Sequence, residues 1–379
     1  MDSPLRIALV AGEASGDILG SGLIRQLKQL HPQAEFVGVG GPLMKAEGLH
    51  SLFDMDRLSV MGLWEPLKRL PELLSMRRSL IRRFRELPVD LFVGIDSPDF
   101  NLGIAAALKP YGIATAHYVS PSVWAWRQGR VKGIRRNLDL MLTLLPFEAE
   151  FYRQYEVPVE FVGHPLASQI TASINPQAQR CQLGLGDTPM LLLLPGSRGS
   201  EVKHLMPLFE RTSEELRRYI PNFQVRVAAA NAQREKQINE LLDDSSQTRV
   251  VCGQTRELIA ASDAVLAASG TTTLEVMLSG RPMVIAYKAD ALSYAIISRM
   301  LRVPWVGLPN LIAGKSLVPE LIQQDARIES LCDALRRCFE DEAWVHSLQQ
   351  QFGLLSDQLR QPSDQLAAAA LNRLLQQRG

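Results

Sequence analysis

Short runs of consecutive apolar residues recur along the chain, and longer stretches with a helical period separate them. Runs that are apolar on both faces are typical of parallel strands covered by helices on each side. The first half therefore predicts a β-α-β array. Its strands are predicted at residues 6–11, 35–41, 90–95, 115–120, 138–146 and 159–165.

The same pattern restarts after a polar stretch at residues 168–188. Strands are then predicted at residues 189–198, 223–230, 248–254, 264–270, 282–288 and 303–310. The simplest fold is α/β, with two tandem Rossmann-like doubly wound domains over 1–168 and 189–355. A terminal helix is predicted within 356–379, where it can pack back on the N-terminal domain. The cleft between the two domains is the expected active site.

Composition limits the function classes. Apolar residues make up 46% of the 379-residue chain and charged residues 21%, which excludes disordered and disulfide-stapled classes. The 41 basic and 40 acidic residues give a net charge of +1, without the strong basic field of a dedicated nucleic-acid binder. The four cysteines form no C-x-x-C pair, so neither a zinc site nor a disulfide framework is expected. No signal peptide or membrane-spanning stretch is indicated, and a cytoplasmic protein is expected.

Two loops of the first half follow predicted strands and carry carboxylates. The loop at residues 11–17 opens a helix, and Glu13 is expected to face the ligand crevice. Its glycine spacing fits neither a dinucleotide fingerprint nor a P-loop, and a purely structural turn is the alternative. Asp96 comes directly off a buried strand and suits a general base, or else orders its loop as a hydrogen-bond acceptor. Asp99 is expected to cap the next helix.

An aromatic loop, residues 117–126, follows another strand and precedes a basic run. Its rings and the cations after it suit an anionic, partly apolar substrate, with Ser120 and Trp124 as candidates. Packing of the tryptophans under a long loop is the equal alternative. His117 and His164 are interpreted as structural histidines.

Two turns of the second half run from strand to helix and suit a nucleotide diphosphate. The first, residues 194–201, supplies Gly196, Ser197 and Arg198, and a guanidinium can fork onto a phosphate. The second, residues 268–275, supplies Ser269, Gly270 and Thr271 at a helix start, with Glu275 one turn further for ribose hydroxyls. Ordinary helix capping is the alternative for the second turn.

The segment from Met61 to Arg85 combines apolar and basic residues. Between Arg57 and Glu86 eight basic and three acidic residues give a local charge of +5. Such a cationic, tryptophan-bearing surface is typical of a membrane interface. Pro66 and Pro71 predict two short helical pieces. The alternative is a helix packed on the sheet, which is strongest for residues 73–84. The expected membrane contacts are Leu63, Trp64, Leu67 and Leu70.

Taken together, AGEASGD, GIDSPDF, HYVSPSVWAW, LPGSRGSE, SGTTTLE and GLPNLIAG resemble the lipid-A-disaccharide synthases. These strings occur in order along nearly the whole chain. The resemblance implies the GT-B architecture and an inverting, metal-independent glycosyltransferase without a cofactor. It implies that UDP-2,3-diacylglucosamine is joined to 2,3-diacylglucosamine 1-phosphate (lipid X) through a β(1→6) bond with release of UDP.

The resemblance also implies which residues form the site and which partners the protein meets. Asp96 and Glu13 become catalytic candidates, and the substrate-binding candidates are Ser15, Gly16, Ser120, Trp124 and Asn310. The expected partners are the two lipid substrates and the cytoplasmic face of the inner membrane, at which the protein acts peripherally. No nucleic acid is expected, and a homodimer is left open.

Two other function classes fit part of the pattern. An NAD-dependent oxidoreductase fits the Rossmann-like halves, but the second strand ends in Val39-Gly40-Gly41, where a ribose-binding carboxylate is expected. A non-catalytic carrier of nucleotide sugars or lipids would keep Arg198 and Glu275 and would not need Asp96.

Overall fold

The computed structural model describes residues 4–58, 65–87, 89–170, 175–243, 245–290, 294 and 299–378, with the side chains of 65–68 left aside. The chain divides into two compact units. The first comprises Met1–Pro165 with Arg360–Gly379, and the second comprises Leu166–Leu359. Within the described ranges no helix combines the length and apolar character needed to cross a membrane.

Seven parallel strands form the sheet of the first unit. They are β1 (Arg6–Ala11), β2 (Glu35–Val39), β3 (Leu49–Ser51), β4 (Leu91–Ile95), β5 (Ala114–Tyr118), β6 (Leu140–Thr143) and β7 (Val159–Phe161). Their order is β3-β2-β1-β4-β5-β6-β7. The direction of winding reverses between β1 and β4, whose registers pair Ala11 with Ile95 at the carboxyl ends. Open α/β sheets bind ligands at such a reversal.

The helices of the first unit cover both faces of its sheet. They are α1 (Ala14–Leu30), α2 (Pro42–Ala46), α3 (Glu65–Glu86), α4 (Pro98–Leu108), α5 (Val131–Asn137), α6 (Pro146–Gln154) and the terminal helix described below. One core layer lies under α1 and includes Leu23 and Leu27. The other lies under α3 and α4 and includes Leu80 and Phe84. Strands buried from both sides explain why the sequence runs are apolar without alternation.

Helix α3 is continuous, so the predicted division into two pieces was wrong. Pro71 lies inside the helix and removes only one backbone hydrogen bond. Met76, Leu80 and Phe84 bury one stripe of the helix in the core, and this packing stabilises it despite the missing bond. Over residues 73–84 the core-helix interpretation is therefore confirmed.

The second unit has a six-stranded parallel sheet in the order β10-β9-β8-β11-β12-β13. Its strands are β8 (Met190–Leu194), β9 (Gln224–Ala229), β10 (Arg249–Cys252), β11 (Ala264–Ala268), β12 (Met283–Tyr287) and β13 (Glu320–Ile322). The reversal lies between β8 and β11. These two sheets confirm the predicted tandem Rossmann-like α/β fold.

The described part of the chain places the following helices after α6. They are α7 (Pro165–Gln169), α8 (Pro176–Gln182), α9 (Gly199–Leu216), α10 (Ala232–Leu241), α11 (Thr255–Ala261), α12 (Thr272–Leu278), α13 (Leu308–Ala313), α14 (Ile328–Glu340), α15 (Glu342–Leu359) and α16 (Ser363–Gln376). Helix α16 belongs to the first unit and packs on α1. Leu371 and Ala367 of α16 are fully buried in the layer under α1.

The strand predicted at residues 303–310 was wrong, because this segment bends and then begins α13. Pro304 and Pro309 offer no N–H for a ladder. The Glu320 carboxylate instead accepts from the backbone N–H groups of Val306 at 2.8 Å and Gly307 at 3.0 Å. The short strands β3 and β13 were not predicted, since three residues give too little pattern to distinguish them.

Candidate active site

The first unit brings the Glu13 loop and the Asp96 loop together at the reversal between β1 and β4. A Cβ atom at Gly12 would lie 2.5 Å from the Ser97 hydroxyl oxygen, so these two loops are in close approach. Glu13 is the N-cap residue of α1, and its exposed side chain makes no capping hydrogen bond. Ser15 is exposed in the first turn of α1, whereas Gly16 is buried against Ala11.

Asp96 follows β4 in a left-handed backbone conformation, with φ of 52°, and Ser97 continues it with φ of 43°. Non-glycine residues adopt this region rarely, and such strain is concentrated at functional sites. The backbone N–H of Asp96 donates to the Tyr118 carbonyl at 2.9 Å. Its side chain is half-buried, and in the described part of the chain no hydrogen bond or ion pair occupies the carboxylate. That carboxylate is therefore available to a ligand.

Asn101 supports this turn from below. Its side-chain amide donates to the carbonyl oxygens of Val10 at 3.1 Å and Asp96 at 2.8 Å. The residue is fully buried, and its Oδ1 atom has no hydrogen-bond partner among the described residues. A buried amide that joins the ends of two strands fixes their spacing. Sequence reasoning missed Asn101, because a single asparagine inside an apolar helix carries no distinctive pattern.

Asp99 does not cap α4, so that expectation was wrong. The N-cap residue is Ser97, which makes no side-chain capping bond, and Asp99 lies inside the first helical turn. Its carboxylate accepts from the Arg130 guanidinium at 2.5 Å. Ser97, in a left-handed backbone conformation, immediately precedes Pro98, the first residue of α4, and the Asp99 side chain is exposed beside Arg130.

The aromatic loop is ordered by a buried carboxyl group. Trp124 donates its indole N–H to Glu148 at 3.1 Å and packs edge-on against Phe147 with ring centroids 4.8 Å apart. The Ser120 hydroxyl lies 3.1 Å from the Tyr152 hydroxyl. Trp124 stays half-buried, so its ring packs within the unit while part of it remains accessible.

Two titratable groups near these loops have strongly shifted pKa values. Burial raises the pKa of the Glu148 carboxyl to about 8, although N–H donors from Leu145 and Trp124 act in the opposite direction. Burial lowers the pKa of His117 to about 3, so its imidazole is neutral at physiological pH. His117 lies on β5 beneath the surface, in keeping with a structural histidine.

In the second unit the two predicted turns line one cavity of about 250 Å³. The first turn contributes Gly196, Ser197 and Arg198, and the second contributes Ser269, Gly270 and Thr271. The turns follow β8 and β11, the two strands at the reversal of this sheet. Helix α9 begins at the first of them, so its free backbone N–H groups favour an anion there.

Arg198 is held loosely beside this cavity. Its guanidinium lies 3.1 Å from Glu201, while 80% of its side chain is exposed. Gly196 has φ of 105°, and a Cβ atom there would lie 2.4 Å from the Glu201 carboxylate. Both the backbone conformation and the lack of space therefore require glycine at this position.

Glu275 stands one turn inside α12, beyond the residues that line the cavity. Arg256 lies 3.7 Å from its carboxylate. Burial raises the pKa of Glu275, and the charge of Arg256 partly offsets this rise. Sequence reasoning missed Arg256, because the two residues meet only when α11 and α12 pack together.

Asn310 is fully buried, and its amide is used within the chain. It donates to the Val318 carbonyl at 2.9 Å and to Glu320 at 2.7 Å, and it accepts from the Leu317 N–H at 2.7 Å. This geometry makes Asn310 the residue that orders the loop between α13 and β13.

The predicted membrane segment is only partly described. Leu63 and Trp64 lie outside the described residues, as does the side chain of Leu67. Leu70 is described, and 47% of it is exposed. Across the described ranges no group of three or more histidine, cysteine, aspartate or glutamate side chains is arranged to hold a metal ion.

Solved structures share this fold at low sequence identity. A UDP-GlcNAc 2-epimerase from Neisseria meningitidis matches with a TM-score of 0.63 and 10% identity, covering 98% of this chain and 100% of that one. A glycosyltransferase from Rickettsia africae matches with a TM-score of 0.59 and 11% identity over 99% of each chain. These similarities and the two parallel sheets thus place the chain in the GT-B fold class.

Sequence relatives identify the family within this class. The model of the lipid-A-disaccharide synthetase family matches residues 7–371. The lipid-A-disaccharide synthase of Alcanivorax borkumensis is 50% identical over 378 residues, covering 99% of this chain and 98% of the relative. That of Pseudomonas fluorescens is 54% identical over 332 residues, covering 87% and 88%. The chain belongs to the lipid-A-disaccharide synthetase family.

Family membership decides between the three function classes that the sequence left open. The chain is a glycosyltransferase of lipid A disaccharide synthesis, and its substrates are a UDP-sugar and a lipid. Neither the oxidoreductase nor the carrier alternative finds support.

Proposed function

We propose that the first unit binds the acylated glucosamine 1-phosphate acceptor, that the second binds the UDP-sugar donor, and that Asp96 is the catalytic base. The observation that carries the proposal is the half-buried Asp96 carboxylate, which has no partner in the described part of the chain. It stands beside the Glu13 loop, at the sheet reversal where α/β folds bind ligands.

In this mechanism Asp96 takes the proton of the acceptor 6-hydroxyl as its oxygen attacks the donor anomeric carbon. The new C–O bond forms while the bond from that carbon to the UDP phosphate oxygen breaks, so the configuration inverts. The proton stays on Asp96 until it passes to solvent, and UDP leaves with the electron pair. A carboxylate is a suitable base for such a transfer when it reaches the hydroxyl directly.

The donor half of the proposal rests on the cavity at α9. Arg198 and the N–H groups at the start of α9 are assigned to the diphosphate, whose charge grows as UDP leaves. Ser197, Ser269, Gly270 and Thr271 complete the wall of the cavity, in which Gly196 lets the backbone approach the phosphates. Glu275 is assigned to the ribose hydroxyls, which requires it to exchange its contact with Arg256 for the ligand.

On the acceptor side, Glu13 is assigned to orienting the sugar, with Ser15 and Gly16 at the start of α1 close to it. Ser120 and Trp124 contribute a polar and an aromatic contact from the loop after β5. Support for these roles comes from position, because both loops follow strands of the same sheet edge.

We also propose that the segment from Met61 to Leu74 docks on the cytoplasmic face of the inner membrane. The acyl chains of both substrates are more stable in the bilayer than in water, by ~0.8 kcal/mol for each CH₂. An exposed Leu70 and the surrounding positive charge suit an anionic surface.

The reaction is tested with purified protein, UDP-2,3-diacylglucosamine and lipid X. Mass spectrometry should find the tetraacyl disaccharide 1-phosphate, and UDP should appear in equal amount. Turnover should persist in excess EDTA, because Arg198 and α9 are assigned the charge that a metal would otherwise meet. UDP release without disaccharide would contradict the acceptor assignment, and loss of activity that Mg²⁺ restores would contradict the metal-independent mechanism.

A further inference from the structure

Asn101 binds both residues of the left-handed turn that carries the proposed base. Its backbone N–H donates to the Ser97 carbonyl at 3.0 Å, and its side-chain amide donates to the Asp96 carbonyl at 2.8 Å. The amide also donates to the Val10 carbonyl at 3.1 Å. The side-chain donors of Asn101 therefore hold backbone beside the carboxyl ends of β1 and β4.

The two strands held in this way lead into the two loops that the proposed function assigns to the acceptor. Val10 pairs with Gly94 in the register of β1 and β4. Glu13 follows Val10 by three residues, and Asp96 follows Gly94 by two. One buried side chain thus connects the Glu13 loop and the Asp96 loop from below.

Gly94 makes room for Asn101 inside β4. A Cβ atom at Gly94 would lie 2.6 Å from the Cβ atom of Asn101 and 2.9 Å from Nδ1 of His117. Glycine weakens the interior of a strand, and it often marks the close approach of another group. The chain therefore keeps an unfavourable residue in a buried strand at the point where Asn101 packs.

Asn101 itself is a costly residue for its position. It is fully buried on α4, where asparagine is a weaker helix former than alanine or leucine. Its Oδ1 atom has no hydrogen-bond partner among the described residues, and a buried acceptor left unpaired lowers stability. The amide is therefore better explained by the turn that it holds than by a contribution to the core.

We infer that Asn101 is a positioning residue for the transfer, which acts through Asp96. By fixing the backbone of the turn, its amide sets the place from which the carboxylate reaches the acceptor 6-hydroxyl. The inference rests on the proposed function, since it requires Asp96 to be the base. Its physical basis is that a displacement of about 1 Å in a reacting group can reduce turnover about 100-fold.

The test compares Asn101→Leu in two backgrounds, the wild type and Asp96→Asn, at an enzyme concentration high enough to measure slow turnover. Leucine keeps the branched shape of the side chain and removes both donors. In the wild-type background kcat should fall about 10- to 100-fold, while the acceptor KM and the UDP affinity change by less than about twofold. In the Asp96→Asn background the same substitution should lower kcat by at most about twofold, because groups that act as a unit have non-additive effects.

Thr115→Val is the matched control. Thr115 is also fully buried in the first unit, and its hydroxyl donates to the Asn137 carbonyl at 2.9 Å, toward the amino end of β5. This variant should lower the thermal transition as Asn101→Leu does, but it should keep the wild-type kcat. If the leucine variant does not fold, Asn101→Ser repeats the test, since a serine hydroxyl has one hydrogen and can hold only one carbonyl.

A wild-type kcat in the Asn101 variant, or an equal fold loss in the two backgrounds, would overturn the inference and leave Asp96 as the base. Wild-type turnover of Asp96→Asn alone would overturn the proposed function together with the inference.

Discussion

The side-chain amide of Asn101 donates to the backbone carbonyl of Asp96 at 2.8 Å, and it also holds the carbonyl of Val10 on the neighbouring strand. Asp96 thus adopts its left-handed conformation, with φ of 52°, over a buried polar anchor. Because strained backbone persists only where its surroundings fix it, this contact explains how the turn that carries the carboxylate keeps its conformation.

Donor binding is expected to depend on Arg198 and Glu275. Arg198→Ala and Glu275→Ala should each weaken UDP binding by about 1.5 to 3 kcal/mol, the usual effect of losing a hydrogen bond to a charged group. Calorimetric titration with UDP measures this. Arg218→Ala is a close control, since Arg218 is also exposed and also pairs with a glutamate three residues away. Unchanged UDP affinity in both site variants would place the donor elsewhere.

The Glu148 carboxyl is expected to make the folded protein less stable as pH rises. Its pKa is raised to about 8 in the folded protein, so between its ordinary value and pH 8 the folded state binds more protons than the unfolded state. The free energy of unfolding should therefore fall as pH rises through this window, with a slope of up to about 1.4 kcal/mol per pH unit from this group.

Glu148→Gln removes this titration. Chemical denaturation from pH 5 to pH 8 should show a flatter profile for the variant than for the wild type, once other groups are subtracted. Tryptophan fluorescence follows the loss of the Trp124 contact in the same samples. Parallel profiles for the two proteins would show that Glu148 is charged throughout this range.

Membrane docking of the segment from Met61 to Leu74 is tested by replacing its apolar residues. Replacing Leu63, Trp64, Leu67 and Leu70 by serine should lower binding to anionic liposomes, because each buried CH₂ contributes ~0.8 kcal/mol. Serine at the exposed Leu30, Leu43 and Leu354 is the control set. A collapsed thermal transition with unchanged liposome binding per folded molecule would assign the segment to the core.

The sequence alone predicted the two sheets, because parallel strands buried on both faces leave continuous apolar runs. It also predicted the strand-end turns, since glycine, serine and carboxylates follow those runs directly. The order of the strands was not predictable, and that order is what brings the Asp96 and Glu13 loops together.

Contacts between separate helices could not be predicted from the sequence for the same reason. Arg256 meets Glu275 only after α11 packs beside α12. The strand predicted through Val306 was wrong, because the carboxylate of Glu320, fourteen residues later, accepts the backbone N–H there. Local pattern cannot reveal such a partner.

The central claim is that Asp96 is the base, and Asp96→Asn tests it most directly. The substitution keeps the shape and removes proton acceptance, so turnover should fall roughly 10²- to 10⁴-fold while UDP affinity stays nearly unchanged. Asp56→Asn, at an exposed carboxylate of the same unit, should behave as the wild type. Activity of Asp96→Asn within a few-fold of the wild type would contradict the assignment.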